Sequence, residues 1–265
     1  MIEKVQKPLI PAATIMLLRD GPQGLEVFMV VRHHQIDFAS GALVFPGGKV
    51  DVRDTEAVVR ERTIGAGELD DQLLSMRVAA IREAYEECGV LMARSRDDGQ
   101  LVSGSRLADL EEWRDRLNRN EIGIGEMLEA EDLVLAADTL TPFAHWITPK
   151  MMPKRFDTHF FVAHAPEDHV AAHDGHESVD SVWINPVEAI REAEAGKRTV
   201  IFPTKMNLSK LGRAGSVLAA LDMARTAPIV TVEPWIEERE GKGPMLCIPQ
   251  EADYGLTEAP LDLAR

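Results

Sequence analysis

The sequence predicts an α/β fold built around a mixed sheet, and three observations support this prediction. Segments typical of strands and helices alternate along the 265 residues, as they do in α/β proteins. The first two strand-like segments flank a turn sequence, so they should pair as an antiparallel hairpin, which excludes a purely parallel sheet. A segment from 70 to 88 has apolar residues at helical spacing, which favours a helix with one buried face.

The individual elements follow from local residue patterns. Strands are predicted at Ala12–Leu18 and Leu25–Val31, on either side of the turn sequence at 19–24, and Ala42–Phe45 is a short third strand. An exposed, partly helical insertion precedes the helix over 70–88. Asn185 is the expected cap of a helix that begins at Pro186. Further helices are expected at Leu107–Asn118, Asn120–Glu131, Pro186–Ala195 and Asn207–Arg225, and further strands at Trp146–Thr148, Phe156–Ala163, Val179–Ile184, Ile229–Val232 and Met245–Ile248.

Charge and apolar patterning exclude several classes of protein. The formal net charge is −15, which disfavours nucleic acid as a partner because phosphate contacts need a basic surface. No apolar run is long enough to span a membrane, so no membrane partner is expected. The two cysteines do not make a disulfide framework, and Cys88 is expected to be a buried apolar residue. These features favour a cytoplasmic location.

Three glutamates form the most informative cluster in the chain. On a helix, Glu83, Glu86 and Glu87 fall within an arc of about 100° on one face. Like charges at this spacing repel each other, and hard oxygen ligands at this density suit Mg²⁺, Mn²⁺ or Ca²⁺. A solvated acidic helix face is the simpler interpretation of the three residues alone. The opposite side of the helix is apolar and is formed by Val78, Ile81, Ala84, Tyr85 and Cys88.

The residues around the glutamates extend the cluster into a longer motif. The segment from Arg82 to Val90 reads Arg-Glu-Ala-Tyr-Glu-Glu-Cys-Gly-Val, and it follows a Phe-Pro-Gly-Gly turn that ends at Gly48. Together the two segments resemble the signature of the Nudix hydrolases. Two departures accompany the resemblance. Asp54 stands where the signature has a glutamate, and 27 residues separate Asp54 from Arg82, which is an insertion relative to the signature.

A branch of the Nudix family that includes coenzyme A diphosphatases carries an insertion at this place. Two later segments resemble the same branch, Trp146-Ile147-Thr148-Pro149 and Arg155-Phe156-Asp157-Thr158-His159-Phe160-Phe161. The resemblance implies an α/β/α sandwich around a mixed sheet. It also implies a single domain over 8–265 with helical insertions at about 55–75 and 104–131.

The resemblance implies a hydrolase that cleaves a diphosphate linkage and uses Mg²⁺ or Mn²⁺ as its cofactor. Glu83, Glu86 and Glu87 are then metal ligands, together with a backbone carbonyl at Gly48. The glycine pair of Gly47 and Gly48 lets the backbone approach a ligand closely.

Arg82 corresponds to the arginine that orients a glutamate of the signature. Its partner in the family lies at the position of Asp54. Because aspartate is one methylene shorter and the insertion intervenes, the partner of Arg82 stays open at this point.

Several residues outside the helix are candidates for catalysis or substrate binding. Glu177 is the candidate for a general base or a further metal ligand, against the alternative of a solvated loop acid. Arg155 is placed to hold a phosphate and Phe156 to stack on a base, against the alternative of a basic loop that feeds a core strand. Arg32 opens the stretch in which coenzyme A enzymes often carry a basic motif, although Asp37 stands where a second arginine is expected.

The substrate class implied by the resemblance is a small nucleoside diphosphate derivative. Coenzyme A or an acyl-coenzyme A is one candidate, and ADP-ribose and NADH remain open. The alternative function is a catalytically silent Nudix domain that binds a nucleotide as a sensor. The presence of Arg82 together with all three glutamates favours the enzyme. A homodimer is also left open.

Overall fold

A computed structural model describes residues 8–32, 41–173 and 178–261. These residues contain thirteen strands and eight α-helices. The strands are β1 (Leu9–Gly21), β2 (Gly24–Arg32), β3 (Leu43–Val44), β4 (Gly47–Lys49), β5 (Ala93–Ser95), β6 (Leu133–Leu135), β7 (Thr141–Ile147), β8 (Arg155–His164), β9 (Ser178–Ile184), β10 (Thr231–Val232), β11 (Trp235–Arg239), β12 (Gly243–Cys247) and β13 (Glu258–Pro260). The helices are α1 (Ala57–Glu61), α2 (Asp71–Cys88), α3 (Gly104–Asp109), α4 (Glu111–Asn118), α5 (Ile124–Ala130), α6 (Pro186–Glu194), α7 (Phe202–Leu211) and α8 (Val217–Thr226).

A mixed sheet lies at the centre of the fold, as the alternating segments predicted. Within the described residues it has eight strands in the order β10, β7, β8, β1, β2 and β3, with β4 beside β1 and β9 beside β2. β1 runs parallel to β8 from Leu9 opposite Arg155 to Leu18 opposite His164. On its other edge β1 pairs antiparallel with β4 near its start and with β2 near its end. Strand β4 therefore pairs with the part of the β1 edge that β2 does not cover.

Helices cover both faces of this sheet and confirm the α/β/α sandwich. Consecutive residues of β1, from Ile15 to Leu18, are fully buried, as expected for a strand that is covered on both sides. Ile15 and Leu17 belong to the core under α2, whereas Met16 and Leu18 belong to the core that α7 and α8 share.

Helix α2 carries the three glutamates, and its ends are those that the sequence indicates. The Asp70 carboxylate accepts a hydrogen bond from the backbone N–H of Leu73 at 2.8 Å and caps the helix. Gly89 ends it with a φ of 68°, a left-handed conformation that glycine adopts without strain. The apolar face is buried as predicted at Val78, Ile81, Ala84, Tyr85 and Cys88.

The two predicted insertions contain short helices. The first holds α1 and a 3₁₀ turn at Ala66–Glu68. The second holds α3, α4 and α5, and Leu110 separates α3 from α4 where a single helix over Leu107–Asn118 was expected. The Tyr85 hydroxyl of α2 donates to the Leu110 carbonyl at 2.7 Å, which ties the second insertion to the central helix.

Three further predictions about local structure were wrong, in addition to the single helix expected over Leu107–Asn118. The expected helix Asn207–Arg225 is two helices, α7 and α8, because the chain turns through Gly212 to Gly215 and Ser216 starts a new helix by accepting from the N–H of Ala219 at 3.2 Å. Gly47 and Gly48 form a strand rather than a turn. The C-terminal sheet has three strands, β11, β12 and β13, where one was expected. β11 and β13 were not predicted because their charged residues and proline are not typical of strands. No described helix has the length and apolar character needed to cross a membrane.

Candidate active site

Arg82 organises the acidic face of α2. Its Nε donates to Asp54 Oδ1 at 2.9 Å, and its Nη2 donates to Asp54 Oδ2 at 3.1 Å. Its Nη1 donates to Glu83 Oε1 at 2.9 Å and to Glu86 Oε2 at 2.7 Å. Nη2 also donates to the Lys49 carbonyl at 2.8 Å. One guanidinium therefore contacts three carboxylates and fixes them relative to β4.

Asp54 is the partner of Arg82 despite the insertion between them. It lies in a 3₁₀ turn, Val52–Thr55, that follows β4 directly and is capped by Asp51. Asp54 Oδ2 accepts from the backbone N–H of Asp51 at 2.8 Å, so the carboxylate is held from two sides. The turn brings the short aspartate side chain close enough to Arg82 to take the place of the longer glutamate. The inserted residues follow Asp54 in the chain, so they do not displace it from Arg82.

The glycine strand β4 packs directly against the glutamates. The Gly47 N–H donates to Glu87 Oε2 at 3.0 Å. A Cβ at Gly47, whose φ is 154°, would lie 2.4 Å from the Ala13 carbonyl oxygen, so the main chain of β1 excludes any side chain there. A Cβ at Gly48 would lie 2.4 Å from Glu83 Oε1. The Glu83 carboxylate thus occupies the space that a side chain at Gly48 would fill.

The carboxylates are poorly solvated, which disagrees with a solvated acidic face. The side chains of Glu83 and Glu86 are 13% and 15% exposed, and Glu87 is 8% exposed. Burial acts to lower the pKa of Arg82, but Glu83, Asp54 and Glu86 outweigh it and hold the pKa above its ordinary value. Burial raises the pKa of the Asp54 carboxyl, and Arg82 opposes this shift.

This donor set fits a divalent cation. Arg82 contacts the carboxylates of Asp54, Glu83 and Glu86, and the Glu87 carboxylate lies against β4, so four carboxylates gather in a region of low exposure. Carboxylate and backbone carbonyl oxygens are the ligands that Mg²⁺ and Mn²⁺ prefer. The residues that would hold the ion are Glu83, Glu86, Glu87 and the Gly48 carbonyl.

The other described candidates, Arg155, Phe156 and Arg32, lie on strands β8 and β2. Arg155 begins β8 in a buried position, where its Nη2 donates to Glu233 Oε1 at 2.6 Å and its Nε to the Thr148 carbonyl at 3.0 Å. Phe156 is partly exposed, and the Lys154 ammonium lies 5.1 Å from its ring centre. Arg32 ends β2 and is partly buried. Glu177 lies outside the described residues.

Sequence reasoning missed the residues that support Asp54. Arg53 pairs with Asp51 through Nε–Oδ1 and Nη2–Oδ2 contacts of 3.0 Å each, and its Nη1 donates to the Ile122 carbonyl at 2.8 Å. These contacts join the 3₁₀ turn to the loop before α5. Asp51 and Asp54 are spaced as in a capping box, and this spacing could have predicted the turn that holds Asp54.

A carboxylate-rich helix fastened by an arginine over a glycine strand, within an α/β/α sandwich, defines the Nudix class. The chain belongs to the Nudix family, since the family model described as the NUDT19 Nudix domain matches residues 58–211.

Named relatives and a solved structure agree with this assignment. The chain is 24% identical over 225 residues to the acyl-coenzyme A diphosphatase NUDT19 of Xenopus laevis, a match that covers 70% of this chain and 59% of the relative. It is 29% identical over 212 residues to putative nudix hydrolase 7 of Caenorhabditis elegans, covering 80% of this chain and 63% of that protein. The chain therefore spans about three fifths of the length of these relatives. The crystal structure of a nudix hydrolase from Alicyclobacillus acidocaldarius aligns with a TM-score of 0.67 and 26% identity, covering 84% of this chain and 100% of that one.

Proposed function

We propose that this chain is a divalent-metal-dependent hydrolase that cleaves the diphosphate linkage of a coenzyme A derivative. The observation that carries the proposal is the arrangement around Arg82, which holds Glu83 and Glu86 beside the glycine strand while Gly47 holds Glu87. A scaffold that fixes several carboxylates beside one another suits the binding of a divalent cation, and a bound cation attracts a phosphate chain.

The residues of the chain have distinct roles in this proposal. Glu83, Glu86 and Glu87 with the Gly48 carbonyl would hold Mg²⁺ or Mn²⁺. A cation held there would neutralise the phosphate oxygens and lower the pKa of the attacking water. Arg82 orients Glu83 and Glu86, and β4 lets the Glu83 carboxylate lie against its main chain because it carries no side chain at 48.

Coenzyme A is favoured as the substrate class by two observations. The Xenopus laevis relative is named an acyl-coenzyme A diphosphatase, and the insertion between Asp54 and Arg82 resembles the branch that acts on coenzyme A. Arg32 and Phe156 are proposed contacts to the nucleotide part. Arg155 is proposed to support that surface through its pair with Glu233 rather than to bind a phosphate directly. Glu177 is the proposed general base.

We also propose that residues 8–265 form one domain with its two helical insertions and that the protein has a cytoplasmic location. A homodimer stays open.

A substrate screen tests the proposed function. Purified protein is incubated with coenzyme A, an acyl-coenzyme A, ADP-ribose and NADH, each with Mg²⁺, with Mn²⁺ or with excess chelator, and the products are identified by mass spectrometry. We expect coenzyme A or its ester to give phosphopantetheine or its acyl form together with 3′,5′-ADP, and chelator to abolish the reaction. The matched control is Glu112→Gln, which removes an exposed glutamate from α4 and should leave turnover unchanged.

Two results would contradict the proposal. Hydrolysis of ADP-ribose or NADH in preference to coenzyme A overturns the substrate class and leaves the reaction intact. Tight nucleotide binding without hydrolysis of any compound overturns the enzyme and favours the sensor.

A further inference from the structure

A second cluster of metal-ligating side chains lies outside the acidic site. His145 on β7 stands directly opposite His159 on β8, and Asp157 precedes His159 by two residues on the same strand. Because residues two apart on a strand share a face, as do cross-strand partners, the three side chains converge. One ligand atom from each lies within 4.8 Å of the others.

We propose that His145, Asp157 and His159 form a binding site for a borderline transition-metal ion such as Zn²⁺, separate from the magnesium-type site of the glutamates. Two imidazoles and one carboxylate are a donor set that suits Zn²⁺ and related ions and leaves further positions open. Glutamate and carbonyl oxygens alone favour harder ions.

The observed distances fit the space that such an ion requires. The His145 Nε2 and Asp157 Oδ1 atoms are 2.5 Å apart. Two ligand atoms on a tetrahedral zinc ion are about 3.4 Å apart, since each lies about 2.1 Å from the metal. The other pairs of ligand atoms also lie within 4.8 Å of one another, so the three atoms are close enough for side-chain rotations to bring them to one ion.

The surroundings of the cluster prepare it for a cation. The Thr231 hydroxyl lies 2.8 Å from His145 Nδ1, which fixes the ring and turns Nε2 towards Asp157. Within the described residues, no lysine or arginine lies within 4.0 Å of the Asp157 carboxylate. The two histidine rings stack with centroids 4.2 Å apart, so both imidazoles lie beside the Asp157 carboxylate.

The cluster is close to the glutamates but distinct from them. Gly48, Ala13 and His159 are neighbours across β4, β1 and β8, so paired side-chain positions point to the same face of the sheet. At the usual strand spacing, His159 lies about 10 Å from Gly48. The two clusters are built on different elements, the histidines on β7 and β8 and the glutamates on α2, and they differ in donor chemistry.

Zinc titration in the presence of millimolar Mg²⁺ tests the proposal, because Mg²⁺ competes for the oxygen-rich site. Stripped wild-type protein is titrated by calorimetry and is expected to bind one Zn²⁺ with that site blocked. His145→Ala and His159→Ala should weaken zinc binding by at least about 100-fold. His164→Ala is the matched control, since His164 ends the same strand in an exposed position. Its zinc affinity should equal that of the wild type.

Two further measurements keep the result decisive. Co²⁺ should give visible absorption bands of a nitrogen-ligated ion in the wild type and in Glu83→Gln/Glu86→Gln, and not in His159→Ala. Asp157→Asn keeps the side-chain volume, and it provides a folded test if an alanine variant unfolds. Unchanged zinc affinity in both histidine variants, or its loss in Glu83→Gln/Glu86→Gln alone, would overturn the site. Neither outcome bears on coenzyme A hydrolysis.

Discussion

Arg82 and Asp54 are joined by two hydrogen bonds, of 2.9 and 3.1 Å, although 27 residues separate them in the chain. Both residues are almost fully buried, and Arg82 also donates hydrogen bonds to Glu83 and Glu86. The insertion therefore extends the chain without removing the contact that holds the acidic helix face in place.

Asp54→Asn should weaken both the fold and the catalyst. The buried Arg82 would lose a charged partner, and the amide N–H₂ of asparagine cannot accept a hydrogen bond from it. We expect the free energy of unfolding to fall by about 2 kcal/mol and turnover to fall at least tenfold, because Glu83 and Glu86 lose their fixed anchor. Urea denaturation and steady-state kinetics measure the two effects. Asp132→Asn is the control, since Asp132 pairs with Arg62 at the surface; its cost should stay below about 1 kcal/mol. An Asp54→Asn protein that matches this control would contradict the role of the pair.

The two glycines of β4 should differ in their response to alanine. Gly47→Ala forces a Cβ against the main chain of Ala13 and Thr14, so we expect a large loss of stability. The three atoms nearest to a Cβ at Gly48 all belong to the Glu83 carboxylate, which is the end of a flexible side chain. We expect Gly48→Ala to keep its melting temperature within a few degrees and to lose at least about tenfold in turnover through displaced Glu83.

Gly67→Ala serves as the comparison for both variants, because no atom lies within 4 Å of its added Cβ. Thermal melts and kcat are measured on all three proteins. Full activity of Gly48→Ala would show that the position of Glu83 over β4 is unimportant.

Tyr85→Phe should cost stability without affecting the chemistry. It leaves the buried Leu110 carbonyl without the hydrogen bond that joins α2 to the second insertion. The expected loss is about 1–2 kcal/mol, with kcat unchanged because the hydroxyl points away from the glutamates. Tyr254→Phe removes two hydrogen bonds, to Trp146 and Asn207, and should cost more. If Tyr85→Phe is as stable as the wild type in urea, the second insertion is not anchored in this way.

Acid should weaken the loop that carries Asp54. Hydrogen bonds from Arg53 lower the pKa of Asp51 from 3.8 to about 2. A carboxyl whose folded pKa is depressed adds stability above its unfolded pKa, and this stability is lost as the pH falls through the folded value. The difference in unfolding free energy between wild type and Asp51→Asn should be constant from about pH 7 to pH 5 and should shrink below about pH 4. A difference that does not change with pH would contradict the charged contact.

The sequence was a good guide to α2 and a poorer guide to its surroundings. Periodicity, the Asp70 cap and Gly89 define the helix locally, so its ends and its buried face could be predicted. The partner of Arg82 could not be settled, because spacing along the chain does not report that a 3₁₀ turn returns Asp54 to the helix. The break between α7 and α8 was missed because apolar residues continue on both sides of it. The cluster at His145 depends on the register of two strands, which no local pattern specifies.

The roles of the individual site residues are still predictions. Glu83, Glu86 and Glu87 lie together as the resemblance implied, but Arg155 is occupied by Glu233, and Glu177 lies outside the described residues. A pair of this kind cannot be predicted from the sequence, because Glu233 is 78 positions from Arg155.

The most direct test is the turnover of coenzyme A, or of the best substrate in the screen, by wild type and by Glu83→Gln/Glu87→Gln at saturating Mg²⁺. Glutamine keeps the shape of each side chain and an oxygen that can accept from the Gly47 N–H, so circular dichroism should confirm an intact fold. We predict that the double variant loses at least about a hundredfold in kcat, because it lacks the charges that would hold the metal. A folded double variant with near-wild-type turnover would contradict it.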